Sequence, residues 1–123
     1  MSKVLVFNNQ GERRYQIRVL MIWLGIVCRE VSAAEQRNTI GALAGRNGAP
    51  AASAAQNALF EDEMLVMDGL SSDQFHGLLD GLRRNNIPVA LKAVVKEQNL
   101  TWTAAELYGA LLEERKRLSQ NRK

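Results

Sequence analysis

Lys92 is the first candidate for chemistry in this chain, because it interrupts the apolar run Val89-Ala90-Leu91-Lys92-Ala93-Val94-Val95. An ammonium among buried residues is costly unless an anion or a carboxylate meets it. A reaching Lys92 would bind a small anion or pair with a carboxylate such as Asp68. The alternative is an edge strand, where lysine blocks further pairing and carries its head out to water. Other candidates stand where apolar runs end: Asn8 and Asn9 after Val4-Leu5-Val6-Phe7, and Asp68 and Gly69 after Met64-Leu65-Val66-Met67. Gly69 suits a left-handed turn, or a turn whose amides face a phosphate. Asn99 and Thr101 either hydrogen-bond a ligand or close their own turn.

The most reactive side chains occur singly, as Cys28 and His76. One of each removes disulfide scaffolds, thiolate zinc sites and histidine clusters, so no metal site is expected. Cys28 lies in a strand-like run and reads as a small core residue. His76 reads as a surface residue with Asp80 one turn on. Neither GxGxxG nor GxxxxGK[ST] occurs, and the serines lack a nucleophile elbow. No cofactor is expected, and the reading leans away from an enzyme.

These side chains are carried by a chain of 123 residues, 46% hydrophobic and 24% charged, which suits one ordinary folded domain. The net charge of +3 is local. Residues 1–112 hold eleven Lys/Arg and eleven Asp/Glu, while the last eleven residues hold five basic and two acidic ones. Arg115, Lys116 and Arg117 fall near the end of a predicted C-terminal helix, where cations suit the macrodipole. Specific nucleic-acid binding is therefore not expected. The longest nearly apolar run, Val19 to Cys28, has ten residues, well below the roughly 20 that span a bilayer. Met1-Ser2-Lys3 leads directly into a strand with no leader pattern. The expectation is a cytoplasmic protein without a membrane partner.

An internal repeat organises the positioning elements. Lys3-Val4-Leu5-Val6-Phe7-Asn8 matches Glu63-Met64-Leu65-Val66-Met67-Asp68 at an offset of 60. Each run is followed by a helical stretch, a second apolar run, and a short helix carrying Gly-Ala-Leu (Gly41-Ala42-Leu43 and Gly109-Ala110-Leu111). Ser71 with Gln74, and Thr103 with Glu106, form capping boxes; Leu70 with Phe75, and Trp102 with Leu107, add hydrophobic staples. Phe75, Leu78, Leu79 and Leu82 make one helical stripe, as do Ile17, Leu20, Met21 and Leu24. Ile26 to Val31 reads as the second strand. The predicted fold is α/β: a single four-stranded, mainly parallel sheet of order 2-1-3-4 with helices on both faces, built from a duplicated β-α-β-α unit. The domain is expected over 1–118, with half-repeats 1–45 and 60–118, a connector at 46–59 and a frayed basic tail at 119–123. A pseudo-twofold along the strands would then place a ligand crevice beyond strands one and three.

Met64-Leu65-Val66-Met67-Asp68-Gly69-Leu70-Ser71, Ala90-Leu91-Lys92-Ala93-Val94, Asn99 and Trp102-Thr103 carry a resemblance. The chain resembles small bacterial proteins grouped as a domain of unknown function, with the pattern MLVM-x-G-[FL]-S, ALKAV, N-x-x-W-T. The likeness is close over 60–118 and weaker, though collinear, over 1–45. The chain has Glu63 where that family usually has proline, and Lys96 where it usually has threonine. The resemblance implies the fold boundaries and no activity.

Val19, Ile22 and Trp23 make the other sides of the first helix apolar, and residues two apart point away from each other. Trp23 and Ile22 therefore cannot face the sheet together with Leu20 and Leu24, unless the connector covers them. The leading expectation is a non-catalytic protein-interaction or self-associating module, a homodimer through Val19, Ile22 and Trp23. The alternative is a small-ligand-binding or regulatory domain taking a polar or anionic ligand near Asn8, Asp68, Gly69, Lys92 and Asn99.

Overall fold

The computed structural model describes residues 2–8, 11–32, 34–46, 60–87, 89 and 91–121. Asn9, connector residues 47–59, Pro88, Ala90, Arg122 and Lys123 lie outside the described residues. Two compact units are present, Met1–Ser32 with Glu61–Val95 and Ala33–Phe60 with Lys96–Lys123. Among the described residues no helix is long and apolar enough to cross a membrane.

The first unit holds strands β1 (Lys3–Phe7), β2 (Val27–Val31), β3 (Met64–Asp68) and β4 (Leu91–Val94), with helices α1 (Gly11–Trp23) and α3 (Ser72–Arg84). The sheet order is β2-β1-β3-β4, as expected. The pairing directions correct the mainly parallel expectation. β1–β2 and β3–β4 are parallel, but the central pair β1–β3 is antiparallel, with Lys3 opposite Asp68 and Phe7 opposite Met64. The sheet is mixed.

The placement of the crossover helices follows from that central pair. A β-α-β crossover is right-handed. The two crossovers step outward in opposite directions from strands that point in opposite directions, so both helices land on one face. Ile17 and Met21 of α1, and Leu78 and Leu82 of α3, accordingly join one buried cluster with Val4, Val6, Leu65 and Met67. The expected arrangement, helices on both faces about an axis along the strands, required a parallel central pair. Leu5, Phe7, Met64 and Val66 point to the opposite face and are buried too. Burial on both faces is why these strands read as unbroken apolar runs and not as alternating ones.

Strand pleating also fixes which strand residues share a face. Val4 and Val6 share the helix-covered face with Leu65 and Met67, an offset of 61. A one-residue slip, as in the offset of 60, would turn each strand over. The same offset relates Ile17 to Leu78, Met21 to Leu82 and Ile26 to Ile87, all buried in this cluster. Both helices end in a Schellman turn with a left-handed residue, Gly25 (φ 70°) or Asn86 (φ 54°). The following isoleucine amides reach back to Met21 O and Leu82 O, each at 2.9 Å.

The second unit holds a 3-10 helix at Ala34–Arg37, α2 (Ile40–Leu43), a 3-10 helix at Glu97–Asn99 and α4 (Ala104–Asn121). Thr39 caps α2 by accepting from the Ala42 amide at 3.2 Å. The expected Thr103–Glu106 box forms, with bonds of 2.9 and 3.1 Å. Gly109-Ala110-Leu111 lies inside an 18-residue helix and not in a short one, since the following Leu112 to Arg117 are all good helix formers. Gln36 is fully buried and bonds the backbone of Phe60 twice, accepting from its amide at 3.1 Å and donating to its carbonyl at 3.2 Å. The Phe60 ring stacks on Tyr108 with centroids 4.3 Å apart.

Candidate functional site

The antiparallel central pair dismantles the expected crevice. The carboxyl ends of β1 and β3 lie at opposite edges of the sheet, so Asn8 is at one edge while Asp68 and Gly69 are at the other. Lys92 joins neither group. It is exposed on edge strand β4, beside Leu65, and its Nζ donates to Val89 O. That bond turns the ammonium away from the end of β4 and from Asp68. Asn99 belongs to the second unit, where it is buried and its Oδ1 accepts from the Lys96 amide at 3.1 Å. It closes its own turn.

At the β1 edge, Asn8, Arg13, Glu61 and Glu63 line an open cleft of about 700 Å³. Asn8 adopts a left-handed backbone (φ 63°), and its Nδ2 donates to Asp62 O at 3.0 Å. Asparagine tolerates that conformation better than most residues do. Arg13, in the first turn of α1, donates from one guanidinium NH₂ nitrogen to Glu63 Oε1. Their side chains are 38% and 22% exposed, so the pair lies at the cleft wall. The second carboxylate oxygen, Glu63 Oε2, is buried and meets no hydrogen-bond donor among the described residues. The pair spans fifty sequence positions, and no local spacing announces it.

At the β3 edge, donors and acceptors are largely consumed by structure. Ser71 Oγ accepts from the Gln74 amide at 3.1 Å, and Gln74 Oε1 accepts from the Ser71 amide at 3.0 Å. Gln74 Oε1 also accepts from the Ser2 hydroxyl, while its Nε2 donates to Leu24 O at 3.1 Å. One glutamine thus ties the start of α3 to the N-terminal segment and to the turn after α1. Beside it, Met67, Leu70, Phe75 and Val94 line a mostly apolar groove of about 440 Å³ with Gly69 and Ser71. Asp68 is buried opposite Lys3.

On the outer side of α1, Ile22 and Trp23 are 71% and 83% exposed, and Val19 is half-buried. Tyr15, absent from the sequence reading, is 68% exposed. Positions 15, 19, 22 and 23 fall at i, i+4, i+7 and i+8, a single helical stripe whose spacing was legible. It lies opposite the stripe formed by Ile17, Leu20, Met21 and Leu24, which packs on the core.

The remaining reactive groups are quiet. Burial pushes the Cys28 thiol up, and the nearby Glu30 carboxylate adds to this, which disfavours the nucleophilic thiolate. The hydrogen bond from Arg14 holds the Glu30 carboxyl below its ordinary range. Asp80 pairs with Arg83 at 2.6 Å, and His76 makes an edge-on ring contact with Phe75. Among the described residues no group of three or more His, Cys, Asp or Glu is placed to hold a metal ion.

Residues 63–118 match the family model described as Domain of unknown function (DUF3783). The matched segment begins at Glu63 and runs through β3, α3 and β4 into α4. No curated protein and no solved structure matches the chain.

Proposed function

We propose that this protein is a non-catalytic interaction module that self-associates through the outer face of α1. The observation that carries this reading is the stripe of Tyr15, Val19, Ile22 and Trp23, in which the two aromatic rings and Ile22 are mostly exposed. A surface helix normally needs one apolar stripe; a second, on the opposite side, needs a second cover. Two aromatic side chains of about 150–250 Å² each bring the patch to a few hundred Å², a size at which exposed apolar surface marks interaction sites.

A second copy is the occupant that the stripe itself fits. In an antiparallel pairing about a twofold through Val19, Tyr15 of one chain falls opposite Trp23 of the other. Such an interface is isologous, and the macrodipoles oppose each other favourably. The equal offset of 61 between the two β-α-β segments supports a duplicated unit as the origin of the architecture.

Sedimentation of the wild type and of Trp23→Glu tests this reading. The wild type should sediment as a dimer at tens of micromolar and the variant as a folded monomer. A wild-type monomer at that concentration overturns it.

A further inference from the structure

We propose that the free edge of β4 binds an extended peptide as a fifth, antiparallel strand, its acidic side chain on Lys92 and its apolar side chain beside Val94. The backbone comes first. The Val95 amide donates to Met67 O at 2.8 Å, and Val94 pairs with Met67 in a parallel register. Residues 91, 93 and 95 therefore turn their amide and carbonyl groups toward β3, while Lys92 and Val94 turn theirs outward. Because β4 ends the sheet, those outward groups have no ladder partner among the described residues. Such a row is a template for pairing, and an extended peptide completes it. The opposite edge is covered. There Glu30 of β2 shares the helix-covered face with Val6, and Arg14 of α1 donates to both of its carboxylate oxygens. Among the described residues no ion pair or side-chain hydrogen bond joins α3 to β4 in that way.

The side chains name the partner. Lys92 and Val94 pair with Leu65 and Met67, so they stand on the helix-covered face. Val94 is 51% exposed and lines the groove of about 440 Å³ together with Leu70 and Phe75. An apolar residue facing Val94 across the new ladder buries against that groove. Two positions on, the facing residue meets Lys92, whose ammonium spends one N–H on Val89 O and has two more to donate. A carboxylate is the complementary group, and opposite charges across a strand pair are favourable. Antiparallel addition lets Lys92 and Val94 each exchange both bonds with one facing residue, and it is the more stable pairing. The peptide then reads, from its amino end, apolar, any residue, acidic. A second copy of β4 fits less well. A twofold centred on Lys92 opposes two ammoniums, and one centred on Ala93 sets Lys92 against the partner's Val94; neither supplies an acid.

The test is a titration of the isotope-labelled full chain with the capped peptide Thr-Val-Thr-Glu-Thr, followed by amide chemical shifts. The amides of Lys92 and Val94 should shift saturably. Methylating the peptide's Val and Glu amide nitrogens, which face β4 in this register, should abolish the shifts. Replacing its Glu by Lys should weaken binding about fivefold, the worth of one cross-strand charge pair. In Lys92→Glu that preference should reverse. Silence of the Lys92 and Val94 amides, equal binding of the methylated peptide, or equal binding of the Lys peptide by the wild type overturns the proposal. A folded Lys92→Glu that keeps the wild-type preference overturns it too; if that variant fails to fold, the peptide series on the wild type decides alone. Shifts of these amides with protein concentration, in the absence of peptide, assign the edge to a second copy and also overturn it. The edge of β4 shares no residue with the outer α1 stripe, so Trp23→Glu should bind the peptide as the wild type does, whether or not the chain self-associates.

Discussion

The δ1 methyl of Leu20 on α1 lies 2.5 Å from where a β carbon on Gly81 of α3 would stand, and its δ2 methyl lies 2.8 Å from it. One turn earlier on α3, a β carbon on Gly77 would stand 2.7 Å from Leu24 Cδ2. The two glycines, four apart on one side of α3, leave the space that the α1 leucines fill. This pairing brings the two crossover helices together over the same sheet face. It explains why α3 carries glycines at positions that cost helix propensity.

Filling that space should be destabilising and coupled. Gly81→Leu is expected to cost about 1–3 kcal/mol through overpacking, and Leu20→Ala should return part of it. A double-mutant cycle by urea unfolding should give a coupling of at least about 0.5 kcal/mol. Strict additivity would mean that the two side chains do not share the space.

Gln74 should matter more than the serine it caps with. Ser71→Ala removes one N-cap acceptor, at about 1 kcal/mol. Gln74→Ala removes the reciprocal bond and also those to Leu24 O and Ser2, and should cost about 2 kcal/mol. Equal losses in urea unfolding would reduce Gln74 to an ordinary capping-box partner.

Lys92→Ala tests edge protection. The lysine is exposed and, among the described residues, bonds locally to Val89 O, so its loss should change stability by less than about 1 kcal/mol. The variant should aggregate faster on heating, because edge strand β4 loses its charge. A loss of several kcal/mol would show that the ammonium sustains a larger network.

The Arg14–Glu30 pair sets a small acid dependence. Because the hydrogen bond from Arg14 lowers the Glu30 carboxyl in the folded state, its stabilisation is complete above the ordinary value of 4.5 and lost as pH falls through the lowered value. Wild type and Glu30→Gln should therefore differ slightly at neutral pH and converge in acid. Arg14 is exposed and Glu30 is half-buried, so solvent reaches the pair and added salt should shrink the difference. A gap that widens as pH falls would reverse the sign.

Self-association through α1 predicts a melting temperature that rises with protein concentration. Tyr15→Ser and Trp23→Ser should abolish that dependence. Both side chains are exposed, so at high dilution these variants should melt within about 0.5 kcal/mol of wild type. A concentration-independent melt for the wild type speaks against the dimer.

Much of this architecture is local and was therefore legible in the sequence. The strand runs, the α1 and α3 stripes and both capping boxes depend on residues within a few positions of each other. The strand order and the resemblance over 60–118 were legible as well, and so was the outward placement of Ile22 and Trp23, since helical period alone forces it. The direction of β3 against β1 was not, because a strand buried on both faces has the same apolar run whichever way it points. That single choice decided the candidate site. It sent Asp68 and Gly69 to one edge and Asn8 to the other, and it put both crossover helices on one face, where Leu20 meets Gly81. It also brought Arg13 to Glu63 across fifty positions of chain, a pairing that no local spacing encodes. Period and caps determine which residues form an element and which side they bury. Which elements meet, and so which polar groups are left without partners, is decided only when the sheet closes.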